Sequence, residues 1–293
     1  MAHMHRARIL WWGIELYHAV VYFAPDAKAT FEAVGLKGFW MGYFASRAAP
    51  LGAVPAEVVT AVFYNFHPAM VARALPDAWA LATPTQITAA RLTLADRTLR
   101  HVLGEETIHS ATLAEAASLA RQVAVAASPL GRPLFASYTS LPWPQEPHLV
   151  LWHAATLLRE HRGDGHVACL VHAHLDACEA HLLAMASGVT TQEVLQRSRR
   201  WTDQDWAAAR ARLQQRGWLD AQGGLTPAGA AAKRHIEEHT DTLAAPSLAV
   251  LSEAQQARLI VLVQSLGRQI VHAGGVPFPN PMGLPDTPYG NRK

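Results

Sequence analysis

The sequence predicts a mostly α protein, built as a helical unit that occurs twice, with one short β hairpin in the C-terminal copy. Half of the 293 residues are apolar and alanine is abundant, and the apolar positions recur at helical rather than alternating spacing, which favours helices. Phrases of the first half return at an offset of roughly 135 to 143 residues, the mark of an internal duplication. LWWGIELYHAVVYFAPD (Leu10–Asp26) pairs with LVLWHAATLLREHRGD (Leu149–Asp164), and RAAPLGAVPAEVV pairs with LAMASGVTTQEVL. The segment LDAQGGLT places Gly223 and Gly224 at a tight turn, as a hairpin requires.

Taken in order, Leu10–Phe23 reads as the first helix, ended by Ala24-Pro25-Asp26, and Ala27–Val34 as a short one closed by Gly35. Gly38–Arg47 follows and stops before Pro50, because a proline disfavours the α conformation in the residue before it. Val54–Phe66 and Pro68–Leu75 continue the pattern, and Thr83-Pro84 opens a long helix towards Leu103. After Gly104 comes the Ala-rich stretch Leu113–Ala127. SPLGRPLFASYTSLPWPQEP, rich in Pro, Gly and Ser, is the predicted boundary. The expected domains are therefore residues 1–130, a linker at 131–147, a second helical repeat at 148–273 and an extended tail at 274–293. Within the second repeat, Thr190 or Thr191 caps a short helix, Asp203 starts another that runs to Gly217, and Thr226 caps a helix with Pro227 at its first position. Leu251–His272 is the last helix, and the five prolines of the tail exclude regular structure there.

The formal net charge is +2 and basic residues are dispersed, except for Arg197, Arg199, Arg200, Arg210, Arg212 and Arg216. Arg199, Arg200 and Arg210 are the candidates for phosphate contact. Against DNA binding stand the uncharged DAQGG turn and the Asp-Gln-Asp start of the following helix, since carboxylates repel phosphates. Cys169 and Cys178 are the only cysteines, so no disulfide framework is expected and no metal site is assigned. No charged leader and no run of 18 apolar residues is present, which predicts a cytoplasmic protein with no membrane partner. No Gly-rich phosphate loop or G-x-S-x-G elbow occurs.

Ionisable and polar residues interrupt apolar helices in the first half: Glu15, His18 and Tyr22 in WWGIELYHAVVYF, Tyr43 and Arg47 in FWMGYFASR, and Asn65 and His67 in AVFYNFHP. Burying such groups costs several kcal/mol unless they pair or meet a ligand. Two readings stay open. In one, Glu15 and Arg47 form a buried ion pair among satisfied core polar groups. In the other, all seven line a small-molecule pocket, with Arg47 holding an anionic group and His18, His67 or Glu15 as catalytic candidates.

Residues 190–243 have the order helix, helix, hairpin, helix and contain LTPAG, and this winged-helix arrangement (helix-turn-helix plus short β hairpin) resembles MarR-type regulators. ELYHAVVYFAPD, GYFASRAAPLG, FYNFHPAMVARALPDAW, LLREHRGDGHVA and NPMGLP resemble an actinobacterial helix-turn-helix family of no known activity. The resemblance implies a duplicated helical architecture with a winged-helix element; together with the polar pocket residues, the chain reads first as a small-molecule-binding winged-helix protein, a ligand-responsive transcriptional regulator. An enzyme of small-molecule metabolism and a haem or chromophore carrier remain alternatives, no cofactor is specified, and DNA and a second copy of the chain stay open as partners.

Overall fold

A computed structural model describes residues 5–288; residues 1–4 of the expected first domain and 289–293 of the expected tail lie outside the described residues. The helices are α1 (Arg6–Phe23), α2 (Ala27–Glu32), α3 (Gly38–Ala48), α4 (Ala56–Phe63), α5 (Pro68–Ala72), α6 (Asp77–Leu81), α7 (Pro84–Ile108) and α8 (Ala111–Ala126). They continue as α9 (Pro133–Thr139), α10 (Pro147–His172), α11 (Ala177–Ala186), α12 (Gln192–Arg199), α13 (Asp203–Gln215), α14 (Pro227–Ala244) and α15 (Glu253–His272). Their starts follow from side chains that satisfy the free amides of a first turn. Thr83, Asp176, Thr202 and Ser252 each form a reciprocal capping box with the residue three positions on. Gly104, at φ 76°, kinks α7 where the sequence suggests a break. No described helix is long and apolar enough to cross a membrane.

Helix α10 is the axis of the molecule and packs against α8, α14, α1, α9 and α7. Its Leu151, Ala154, Ala155 and Thr156 are completely buried. Helix α15 lies along α1 at backbone contact distance: a Cβ on Gly13 would stand 2.6 Å from the Val263 carbonyl oxygen, and one on Gly267 would stand 2.7 Å from the Trp12 ring. One core runs from Ala7 to Leu284 and takes side chains from both halves of the chain. Trp12, Tyr17, Phe44, Phe135 and Tyr138 are fully buried in it, each worth about 1.5–3 kcal/mol. A smaller core gathers Leu170, Leu175, Leu182, Leu195, Trp206, Leu213, Leu219 and Ile236, and it holds α11–α13 against the middle of α14 as a second unit.

Two expectations are corrected. The winged helix with a β hairpin is absent: among the described residues there is no strand or sheet, only a single antiparallel bridge between Leu219 and Leu225. The reason is local. The Asp220 carboxylate accepts from the Gln222 and Gly224 amides and closes the loop on itself. The next residue after the bridge, Thr226, bonds the Gly217 carbonyl at 2.6 Å and caps α14, so the chain becomes helical before a second residue pair can form. The segment 131–147, expected as a linker, contains α9, and Leu134, Phe135 and Tyr138 of that helix are buried in the main core. The Asp164 carboxylate, far along α10, accepts from the Phe135 amide at 3.0 Å and anchors the segment. Proline density marked this stretch as a break, whereas Pro133 sits in the first turn of α9, where proline is tolerated.

The tail crosses from α15 over the junction of the two cores. Val276 and Leu284 are buried, the Trp12 indole donates to Pro285 O at 3.0 Å, and Asn280 Oδ1 accepts from the Met282 and Leu284 amides. Here the tail forms part of the wall of a cavity.

Candidate functional site

The cavity, of about 650 Å³, lies between the main body and the α11–α13 unit and is bounded on one side by Pro281, Met282, Gly283 and Pro285. The volume lies within the range typical of small-molecule sites, about 300–1,000 Å³. The body contributes an aromatic wall: Trp11, Tyr22 and Phe23 from α1, Phe39, Trp40 and Tyr43 from α3, and Phe63 and Phe66 from and beyond α4. The rings pack on one another, with Tyr22–Tyr43 at 5.1 Å, Phe39–Trp40 at 5.1 Å and Tyr43–Phe66 at 5.6 Å between centroids.

Charged side chains cover the rest. Six cations line the cavity, Arg8, Arg47, Arg159, Arg162, Arg199 and Lys233, against three carboxylates, Glu15, Glu160 and Glu237. Glu160, 1% exposed, is held between Arg47 at 3.1 Å and Arg159 at 2.7 Å. Burial raises its pKa, but the two guanidinium groups outweigh burial and hold the carboxyl below its ordinary value. Arg47 also donates to the Tyr43 hydroxyl at 3.1 Å and lies over the Phe63 ring. Glu15 accepts from Trp11 Nε1 at 3.0 Å and pairs with Arg159 at 3.4 Å. At the α14 side, Asp241 stands behind the wall and receives Arg8 at 2.7 Å and Arg162 at 3.0 Å.

Arg199 is different. It is 7% exposed, and among the described residues its N–H groups meet only backbone carbonyls, Ser198 O at 3.3 Å and Pro281 O at 3.1 Å. Its Nε has no acceptor and its guanidinium lies 4.4 Å from the Phe66 ring centroid. Burial, with the nearby positive charges of Arg47 and Arg159, lowers its pKa to about 10. Arg91, 3% exposed, is a second cation whose hydrogen bonds among the described residues go to hydroxyls, Tyr138 at 2.6 Å and Tyr22 at 3.0 Å, and it lies over the Trp152 ring.

The predicted pocket residues divide. Glu15, Tyr22, Tyr43, Arg47 and Asn65 line the cavity, but the ion pairs are Glu15–Arg159 and Arg47–Glu160, not Glu15–Arg47. Asn65 acts through its backbone carbonyl, which accepts from His181 Nε2 at 2.9 Å and Trp201 Nε1 at 3.2 Å and so joins the body to the α11–α13 unit. His18 is completely buried behind Tyr22. Thr156 donates its hydroxyl proton to Trp152 O, so it accepts from His18 Nδ1, which leaves His18 Nε2 to accept from the Tyr22 hydroxyl at 2.8 Å. Burial, reinforced by Arg159, Arg91 and Arg47, lowers its pKa well below the ordinary value. With both ring nitrogens bonded it offers neither a base to a substrate nor a ligand to a haem. His67 is outside the cavity: its Nδ1 caps α5 by accepting from Ala69 N, and its ring meets Trp201 edge to face.

Of the three arginines expected to touch DNA, Arg199 is turned inward and unavailable. Arg200, in the left-handed region at φ 62°, is exposed. Arg210 is half-buried, and its guanidinium crosses Gly223, where a Cβ would stand within bonding range of Nη1. The sequence reading missed Arg159, Glu160, Arg162 and His166. Their signal was present: REHRGDGH sets charges and two glycines inside an apolar helix. Among the described residues no three of His, Cys, Asp or Glu cluster as a metal site would need.

A family model described as a helix-turn-helix family matches residues 7–277. The chain belongs to this helix-turn-helix family. No curated protein and no solved structure matches it. In this helix-turn-helix protein the match includes both the α11–α13 unit and the body that forms the aromatic wall, and it stops within the tail. The exposed positions of α13 are Asp203, Gln204, Ala207, Ala208, Ala211, Arg212 and Gln215, and Arg212 is engaged by Asp176 and by Glu179 at 3.1 Å.

Proposed function

We propose that this helix-turn-helix protein is a ligand-responsive regulator, in which a small molecule held in the cavity sets the position of α11–α13 relative to the body. The observation that carries the reading is that both units wall the same cavity. Arg47, Phe63 and Glu160 come from the body, and His181, Leu195, Ser198 and Arg199 come from α11 and α12. The seam beside it includes the hydrogen bonds from His67 N to Arg199 O at 3.0 Å, from the two donors to Asn65 O and from the Tyr64 hydroxyl to Leu175 O, with Tyr64 packed on the smaller core and Arg199 over the Phe66 ring. An occupant touching both walls adds contacts that exist in only one arrangement of the units, which is the requirement for a ligand to shift a conformational equilibrium.

Duplex contact would rest on few cations, because Arg200 at the end of α12 and Arg210 on α13 form no basic stripe and the 220–224 turn carries no Lys or Arg. Binding should therefore lose affinity with salt at a slope of about −2 in a double logarithmic plot, set by about two phosphate contacts. Fluorescence anisotropy with a mixed duplex pool across a salt series, combined with native mass spectrometry, tests the reading and also reports whether a second copy joins. The regulator reading requires salt-dependent duplex binding that changes when a cavity ligand is present. Duplex binding indifferent to a ligand that demonstrably occupies the cavity would refute it.

A further inference from the structure

We propose that the cavity ligand is an aromatic anion, a flat ring system bearing a carboxylate or a comparable acidic group, clamped by Arg199 with Arg47 and Arg159. This inference rests on the ligand-binding reading of the same cavity.

The charge pattern excludes a neutral or cationic occupant as the best fit. Four interior guanidinium groups, Arg47, Arg91, Arg159 and Arg199, stand around two carboxylates, Glu15 and Glu160. Buried cations are ordinarily matched by anions, because an unpaired charge in a low-dielectric interior is costly. Glu160 and Glu15 each have their own arginine partner, so the surplus is concentrated at Arg199 and Arg91. Arg91 is closed off by Tyr22 and Tyr138, whereas Arg199 lines the cavity. Its present partners are neutral carbonyls, and a carboxylate would replace the one from Pro281 with a charge-assisted, two-pronged contact of the kind guanidinium groups favour.

The shape of the rest of the ligand follows from the adjoining aromatic wall. Phe39, Trp40, Tyr43 and Phe66 form a continuous aromatic surface within the same cavity. Arg199 lies directly over one of these rings, Phe66. A ring system stacked there places its acidic substituent beside the guanidinium without leaving the apolar wall.

The test uses the full-length protein and two probes with the same ring system and either a charged or a neutral polar substituent, 2-naphthoate and 2-naphthalenemethanol, titrated by isothermal calorimetry and tryptophan fluorescence at pH 7.5. We expect naphthoate to bind at least about tenfold more tightly than the alcohol. Arg199→Gln should erase most of that preference and Arg199→Lys should keep part of it. Ala184→Trp, which fills the cavity from α11, should abolish binding of both probes. Equal affinity of the two probes, blocked by Ala184→Trp, would overturn the anion assignment and leave the cavity reading standing. Failure of both probes to bind, or binding that Ala184→Trp leaves intact, would overturn the anion assignment together with the ligand-binding reading. The two-probe comparison on the unaltered protein decides the matter even if Arg199→Gln fails to fold.

Discussion

Arg47 Nη2 meets Glu160 Oε1 at 3.1 Å across 113 residues of chain, and both side chains are at least 96% buried. This pair ties α3 to the central helix α10 and fixes one side of the cavity. Because Glu160 also neutralises Arg159, its carboxylate does the work of two partners.

Glu160→Gln leaves Arg47 and Arg159 with too little compensating charge. We expect a loss of about 3 kcal/mol in stability, the cost typical of removing one partner of a buried pair, read from the urea midpoint. The same variant should bind 2-naphthoate more tightly than the unaltered protein, since it raises the positive potential of the cavity. A variant with unchanged stability would show that water already screens this cluster.

Gly13 allows α1 and α15 to touch. In Gly13→Ala the new methyl meets the Val263 backbone oxygen at 2.6 Å, and neither helix can yield without disturbing the core, so we expect a loss of about 2–4 kcal/mol. Gly163→Ala, on α10, is the control: its nearest neighbours are side-chain atoms 3.9 Å away, and helix propensity should make it neutral or stabilising by up to about 1 kcal/mol. Thermal melts of the two variants should move in opposite directions or differ by several degrees.

Burial pushes His153, His161 and His181 down to a pKa of about 4 each, helped by Arg91 and Arg121, by Arg132 and by Arg199 respectively. The unfolded chain protonates these rings near 6.5, so between pH 6.5 and 4 it binds more protons than the folded protein. The stabilisation is complete above pH 6.5 and is lost as pH falls towards 4, by up to about 3 kcal/mol per ring. Asp164 works in the other direction. Burial raises it to about 6, so the folded state holds its proton longer and stability declines as pH rises from about 4 to 6. His18 and His166 are lowered by burial as well and Asp241 is raised, so five rings outweigh two carboxyls, and urea midpoints should fall from pH 7 to pH 4.5. His181→Gln, which keeps a donor for Asn65 O, should flatten that fall by about a fifth; an unchanged pH profile would remove His181 from the account.

Most helices were legible in the sequence because their signals are local. Thr83-Pro84, Thr226-Pro227 and the break at Gly104 are decided by caps and by φ preferences within a few residues. Pocket membership was legible for Glu15, Tyr22, Tyr43, Arg47 and Asn65, since ionisable and polar groups in apolar helices must find a partner or a cavity. The starts of α12, α13 and α14 were legible too, through Thr191, Asp203 and Thr226-Pro227, whereas the hairpin expected at Gly223 and Gly224 is not formed.

What the sequence by itself determined is therefore the helical class, the helix starts and a set of polar groups that must be compensated. Only the tertiary structure decided which charges meet. It gave Glu160 to Arg47 and Glu15 to Arg159, sealed His18 behind Tyr22, and turned Arg199 from the surface into the cavity. It also reduced the expected hairpin to one bridge and drew α9 into the core. The physical reason is range: capping and backbone preference act over three or four residues, whereas charge compensation and burial depend on distances between side chains that may be a hundred residues apart.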